Sequence, residues 1–356
     1  GTGTELWRSD GTFAGTRLLK DINFGAAGSY PTEMYNHNGI VYFAAGDDVT
    51  GRELWKTDGT LAGTVLVKDI YTGTVGSEPR QFVSFNGSLY FVARNAANGR
   101  ELWKTDGTEA GTVLVKDINT GAGNALRATN GGELGNYFTV VGNALFFTAT
   151  ASAAQGEELW KTDGTDAGTV LVKDINTGAS LSSNPRYLTA VGNQLFFVAN
   201  DLQSSTLIND ELWISDGTAA GTTMLKEINP GNHPSNPNNL ISFKGLLYFS
   251  AYEPATGYEL WKSDGTASGT ALVKDIEPGM QSGMQPYNAN ELIKAEQNNI
   301  ATADGYLYFA ASTAATGKEL WKSDGTAAGT GITTDVFSGT QSADPERLTN
   351  ANGYIY

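Results

Sequence analysis

Glu-Leu-Trp followed by an Asp-Gly-Thr turn recurs seven times along this chain, and all seven tryptophans sit in those copies. Trp7, Trp55, Trp103, Trp160, Trp213, Trp261 and Trp321 are spaced by 48, 48, 57, 53, 48 and 60 residues. A period of about 50 residues is that of a propeller blade or a large solenoid unit, so the repeat constrains the fold before any single residue does.

The second full unit shows the grammar. Residues 79–85 (PRQFVSF) alternate apolar and polar, Asn86-Gly87 is a tight turn, and 88–93 (SLYFVA) is a continuous apolar run. These predict two strands, A and B, joined by a hairpin. Residues 100–105 (RELWKT) and 112–118 (TVLVKDI) predict strands C and D, linked by Asp106-Gly107-Thr108-Glu109-Ala110-Gly111. Runs such as Leu89-Tyr90-Phe91-Val92 imply strands covered on both faces, which stacked four-stranded sheets provide. An open solenoid would need polar caps, and none is present. The chain opens on strand C and ends on the start of an AB hairpin, so it reads as an excised or mature piece of something longer. The expected fold is all-β: a single seven-bladed β-propeller of four-stranded antiparallel blades, closed by a two-plus-two clasp. One blade is shared by residues 1–22 and 342–356, and the others span approximately 29–70, 77–118, 137–175, 184–228, 236–276 and 285–336.

The copies at residues 51–60, 99–108, 257–266 and 317–326 resemble the ELWxxDGT repeats of large bacterial surface and secreted proteins, and the resemblance covers all seven units. Two copies drift, with Ile214 where others carry Lys or Arg and Glu227 in place of the Asp of Lys-Asp-Ile. The resemblance implies a propeller in the extracellular or cell-surface compartment, usually a module of a larger polypeptide. It brings no catalytic residues.

Composition excludes several function classes. A net charge of -15 disfavours a nucleic-acid partner, whose binding rests on Lys and Arg. No apolar run is long enough to insert in a bilayer. Without cysteine there are no disulfides, thiolate metal ligands or thiol nucleophiles.

The repeated tryptophans read as inter-blade packing, with sugar-stacking platforms as the alternative. Asp10, Asp58, Asp106, Asp163, Asp216, Asp264 and Asp324 read as turn caps; one carboxylate per turn is too few for calcium, and no cofactor is expected. The Lys-Asp pairs ending strand D (Lys68-Asp69, Lys116-Asp117, Lys173-Asp174, Lys274-Asp275) read as edge-strand charge pairs.

Departures from the period point to function. Insertions at residues 121–136, 200–210 and 280–304 lie in D-to-A or B-to-C connections, which emerge at one end of such sheets. At the same end a recurring Pro is followed by varied polar residues: Thr32-Glu33, Arg80-Gln81, Arg186-Tyr187, Asn238-Asn239, Tyr287-Asn288 and Glu346-Arg347. The candidate ligand-binding set is Arg80, Arg186, Tyr187, Asn238, Asn239, Tyr287 and Arg347, with Asp201 and Asp210 from the second insertion. Such a rim suits a polar ligand and equally suits a solvated surface.

Catalytic machinery is thin. His37 and His233 fall in different repeats without a visible partner, and no nucleophile, Walker or metal-helix motif appears. Gly317-Lys-Glu-Leu-Trp321 is similar to the docking motif of pyrroloquinoline quinone propellers, which have eight blades and a calcium and cofactor site. Ser263-Asp264-Gly265-Thr266 is similar to the Asp-box turn of sialidases, though Ser and Asp are adjacent here. The expected function is a non-catalytic, adhesin-like binding module for a polysaccharide, a surface protein or neighbouring copies in an assembly. A spacer of a cell-surface filament or matrix is the alternative, and a glycosidase or quinoprotein-like enzyme is the weakest reading.

Overall fold

The computed structural model describes residues 3–127, 138–152, 154–178, 180–201, 209–231, 233–284 and 300–356. Among them there is no α-helix. The N-terminal pair is β1 (Leu6–Arg8) and β2 (Arg17–Lys20). Four-stranded antiparallel meanders follow: β3 (Thr32–His37), β4 (Ile40–Asp47), β5 (Gly51–Thr57), β6 (Val65–Lys68); then β7 (Arg80–Phe85), β8 (Ser88–Asn95), β9 (Gly99–Thr105), β10 (Val113–Lys116). The next are β11 (Thr139–Val141), β12 (Ala144–Thr150), β13 (Glu157–Thr162), β14 (Val170–Lys173), and β15 (Arg186–Val191), β16 (Gln194–Asn200), β17 (Asp210–Ser215), β18 (Thr223–Lys226). The last are β19 (Asn238–Phe243), β20 (Leu246–Glu253), β21 (Gly257–Ser263), β22 (Ala271–Lys274), and β23 (Ile300–Ala303), β24 (Tyr306–Thr313), β25 (Gly317–Ser323), β26 (Gly331–Ile332). A C-terminal pair, β27 (Asn350–Ala351) and β28 (Tyr354–Ile355), forms a two-stranded sheet, as does β1–β2.

The chain divides into two compact units. Unit 1 comprises Gly1–Ala128, Ala149–Ala153 and Thr162–Val170; unit 2 comprises Thr129–Thr148, Ala154–Lys161 and Leu171–Tyr356. In unit 1, Trp103 of β9 packs on Tyr42, Leu54, Val67 and Ile70 of the preceding sheet and its loop. In unit 2, Trp213, Trp261 and Trp321 each join a cluster with apolar residues of the sheet before their own. Both faces of strand B are covered: Leu89, Tyr90, Phe91, Val92 and Ala93 are all buried, which is why that strand lacks alternation.

Six tryptophans are 3–8% exposed, whereas Trp7 is 55% exposed. The reading of Trp7 as a packed inter-sheet residue is therefore corrected. β1 is the first strand of unit 1, so no earlier sheet of that unit offers the surface on which the other tryptophans rest.

The Lys-Asp pairs are also corrected. Lys68 Nζ donates to the Thr112 carbonyl at 2.9 Å, Lys173 to Thr222 at 2.7 Å and Lys274 to Thr330 at 2.7 Å, each in the following sheet's CD turn. The lysine after Trp55, Trp103 and Trp261 does likewise: Lys56 donates to Gly107 O and Lys104 to Gly164 O, both at 2.8 Å, and Lys262 to Gly325 O at 3.1 Å. The paired aspartate works locally, as where Asp117 Oδ2 accepts from Gly121 N at 3.3 Å. Successive repeats are thus tied by lysines donating to carbonyls that a tight turn leaves outside its own ladder.

Candidate functional site at the entry to strand A

The Asp-Gly-Thr turns are closed units. Asp106 Oδ1 accepts from Thr108 N at 2.8 Å and Thr108 Oγ1 at 2.7 Å, and Thr108 Oγ1 accepts from Gly111 N at 2.9 Å. The same bonds recur at Asp10, Asp58, Asp163, Asp216, Asp264 and Asp324. In each, the threonine hydroxyl and N–H hold the carboxyl below its usual range. Among the described residues, no group of three or more His, Asp or Glu is placed to hold a metal ion.

The opposite end of each sheet is built on a residue the sequence reading passed over, the Glu of Glu-Leu-Trp. Glu53, fully buried on β5, accepts from Ile70 N and Tyr71 N at 3.0 Å and from Ser77 N at 2.8 Å, with the Ser77 hydroxyl also donating. Glu5, Glu101, Glu158, Glu211, Glu259 and Glu319 repeat the arrangement. One carboxylate therefore ties down the loop that carries the chain from strand D into the next strand A. Burial pushes Glu53, Glu158, Glu211 and Glu259 up to about 7 and Glu101 up to about 8, against the pull of their N–H donors. A carboxyl at all seven copies, followed each time by Leu-Trp, was the signal that could have found it.

The loop so anchored delivers a strained entry. The residue before the recurring Pro has positive φ in five described copies: Tyr30 (47°), Glu78 (54°), Asn184 (45°), Asn236 (44°) and Asp344 (50°). So does the second residue after it: Glu33 (58°), Gln81 (57°), Tyr187 (56°), Asn239 (56°) and Arg347 (55°). None is glycine, and each left-handed residue costs roughly 1–2 kcal/mol. The second turn coincides with a bulge between Thr32 and Tyr35, Arg80 and Val83, Arg186 and Thr189, and Asn238 and Ile241. Two residues per copy thereby leave the ladder with strand B.

The anticipated rim residues separate by unit. In unit 1, Arg80 sits beside Glu78 at 3.6 Å, and Glu78 also faces Arg52 at 3.7 Å. In unit 2, Arg186 holds Asp210 in a two-pronged pair at 3.1 and 2.6 Å and lies over the Tyr187 ring. Asn238 Oδ1 accepts from the Ser250 hydroxyl at 2.6 Å, while Asn239 donates to Ser250 Oγ at 3.3 Å. Asp201 accepts from Asn209 at 3.4 Å, and Arg347 is exposed. Tyr287 lies outside the described residues, as do most of the three insertions.

His37, for which the sequence shows no partner, is buried, and its Nδ1 lies 2.7 Å from Ser84 Oγ of the next repeat. The Asn38 amide nitrogen lies 3.3 Å from Nε2. That nitrogen is a donor, so Nε2 accepts and Nδ1 carries the proton that goes to Ser84. In this tautomer the imidazole is no base for the serine; it ties two repeats together.

No protein-family model matches the sequence, and no curated protein does. Solved structures do. A prolyl endopeptidase has a TM-score of 0.46 at 11% identity, covering 91% of this chain and 45% of its own. Oligopeptidase B from Leishmania major has a TM-score of 0.44 at 11% identity, covering 98% and 48%. The β-propeller domain of the Trilobed protease from Pyrococcus furiosus has a TM-score of 0.39 at 11% identity, covering 88% and 85%. The chain spans about half the length of the two peptidases. One of the three is a β-propeller domain, and the likenesses concern the fold alone. They correct the functional expectation: the similar structures are peptidases and a protease propeller, so the adhesin-like reading is dropped.

Proposed function

We propose that the chain is a non-catalytic propeller module that holds an extended polypeptide against the strained entry of its A strands. The observation that carries this reading is the left-handed residue two places after the Pro, kept in five described copies while its side chain changes from Glu to Gln, Tyr, Asn and Arg. A costly backbone retained under five different side chains is kept for the path of the backbone rather than for any one side chain. The bulge beside it takes strand A backbone out of its ladder, and N–H and C=O groups in that position suit a peptide main chain. Tyr30 and Met34, both exposed at the first of these entries, add apolar contacts.

The test separates strain from binding. Gln81→Gly and Tyr187→Gly relieve the left-handed cost, so each variant melts at or above the wild-type temperature. Each also loses affinity several-fold for a fluorescein-labelled, unstructured decapeptide followed by polarisation. Unchanged affinity in both variants counts against the proposal.

The finer architecture belongs to the same proposal: seven blades, with β1–β2 and β27–β28 completing one another. So do membership of the ELWxxDGT-repeat family and an extracellular setting.

A further inference from the structure

The loops at the strand A end carry polar or small residues in most repeats, and the junction between β2 and β3 departs from that. Phe24 stands where the other repeats have Thr72, Thr120, Thr177, Pro230, Pro278 and Ser338. Tyr30 precedes Pro31, whereas Glu78, Asn184, Asn236, Gln285 and Asp344 precede the other prolines of this series. Val49, in the turn between β4 and β5, stands where the matching turns have Ala97, Ala255 and Ala315. Phe24 is 91% exposed, Val49 75% and Tyr30 61%, so packing within the chain gives no reason for the three exchanges. Apolar side chains scattered singly over a surface are ordinary, but neighbouring ones mark a contact site.

The three are neighbours, all in unit 1. Asn23, next to Phe24, donates from Nδ2 to Asp48 Oδ1 at 3.3 Å, which fastens the β2–β3 loop to the turn that carries Val49. Arg52 of β5 donates from Nη1 to Tyr30 O at 2.8 Å, and Gly46 N donates to Ser29 O at 2.9 Å, fastening the other end of that loop to the same hairpin. Charge departs from the repeat in the same place. Asp48 takes a position held elsewhere by Ala96, Pro254 and Ala314, and Glu33 one held by Gln81, Tyr187, Asn239 and Arg347. Asp48 is half-buried and Glu33 exposed, and neither forms an ion pair among the described residues. Their hydrogen bonds are to neutral donors, the Asn23 amide and the Gln81 N–H at 3.2 Å. The nearby guanidinium of Arg52 faces Glu78 at 3.7 Å and donates to Ala44 O at 3.1 Å.

We propose that Phe24, Tyr30 and Val49, with Asp48 and Glu33 beside them, form a docking surface for an apolar segment of polypeptide that carries Lys or Arg. This rests on the peptide-holding reading above and names the chemistry of what is held. The apolar side chains supply area whose removal from water favours binding, and the two carboxylates select the charge next to it. A second copy meeting this surface face to face brings the same carboxylates together, and an anionic membrane brings phosphates against them. Charge complementarity therefore favours a basic segment over either.

The experiment measures polarisation of three fluorescein-labelled decapeptides, built on glycine and serine, with the whole chain. One carries two leucines and two lysines, one has serine in place of the leucines, and one has glutamate in place of the lysines. The peptide with leucine and lysine is expected to bind roughly tenfold tighter than either of the others. Phe24→Thr and Val49→Ala install residues that other repeats have there, so they remove the advantage of leucine and leave the melting temperature unchanged. Asp48→Asn keeps an acceptor for Asn23; it removes the advantage of lysine over glutamate and retains that of leucine. Equal binding of the three peptides overturns the surface, as does a leucine advantage that survives in both Phe24→Thr and Val49→Ala. In either case a several-fold loss of affinity in Gln81→Gly leaves the peptide-holding reading standing, whereas binding of none of the peptides overturns both. Self-association in sedimentation, or binding to phosphatidylcholine vesicles, that Phe24→Thr abolishes overturns the assignment to a peptide.

Discussion

A carboxylate enclosed by N–H donors is caught between two large terms, and Glu101 shows which wins. Its oxygens accept from Ile118 N at 3.2 Å and Asn119 N at 3.1 Å, which favours the ionised form, yet burial raises the group to about 8. The folded state therefore holds this proton more tightly than the unfolded chain does. The resulting stability is fully present below the ordinary glutamate value near 4.5 and is lost as pH rises through about 8. Glu101→Gln removes that titration and sets an amide nitrogen against an N–H donor, costing roughly 1–3 kcal/mol. Urea denaturation at pH 5 and pH 9 checks it: the gap between wild type and variant is wide at pH 5 and narrower at pH 9. A gap that widens with pH would falsify this account. The Asp-Gly-Thr carboxyls behave oppositely. Asp106 is lowered by its Thr108 bonds, so its contribution is present above the ordinary aspartate value and is lost as pH falls through its lower folded one.

At the scale of the element, the CD turn explains why the motif reads Asp-Gly-Thr and then, after two residues, Gly-Thr. The second glycine does not have positive φ; it is required because a Cβ on Gly111 would fall 2.1 Å from Asp106 Oδ1. The other six repeats show the same approach, at 1.9–2.1 Å. Gly111→Ala is expected to lower the melting temperature by several degrees, and Asp106→Ala to lower it as well. The double variant loses less than the sum, because removing the carboxylate frees the space. Additive losses would show that the glycine serves some other purpose. This turn was legible in sequence because residue type and geometry coincide there. So were the four strands: residues 88–93 and 100–105 were expected as B and C, and the structure has Ser88–Asn95 and Gly99–Thr105. The entry to strand A was not legible in the same way. Its left-handed turns fall on Glu33, Gln81 and Tyr187, types that do not advertise positive φ, and only the buried glutamate and the bulge reveal the bend.

For the molecule as a whole, the ties between repeats run in one direction, each donating lysines to the next, and the ends of the chain are where that scheme runs out. Lys20, Lys68, Lys116, Lys173, Lys226 and Lys274 each reach the following repeat's turn, but Thr334 occupies that place in the last repeat and has no ammonium to offer. At the other end Trp7 is 55% exposed, and Phe13, at the tip of the β1–β2 turn, is fully exposed. The last repeat therefore lacks the lysine that the others possess, and Trp7 contributes little packing in unit 1. Removing a buried tryptophan to alanine costs about 3–5 kcal/mol. Trp103→Ala should approach that figure, since Trp103 is 6% exposed and packed among Tyr42, Leu54, Val67 and Ile70. Trp7→Ala should cost about 1 kcal/mol or less, in the range of surface substitutions and their near neighbours. Guanidinium denaturation of the two variants compares them, and iodide quenching reads the same contrast: the Trp7→Phe variant loses most of the accessible fluorescence, whereas Trp103→Phe keeps it. Equal penalties, with no loss of quenchable signal in Trp7→Phe, would mean that Trp7 is covered in solution.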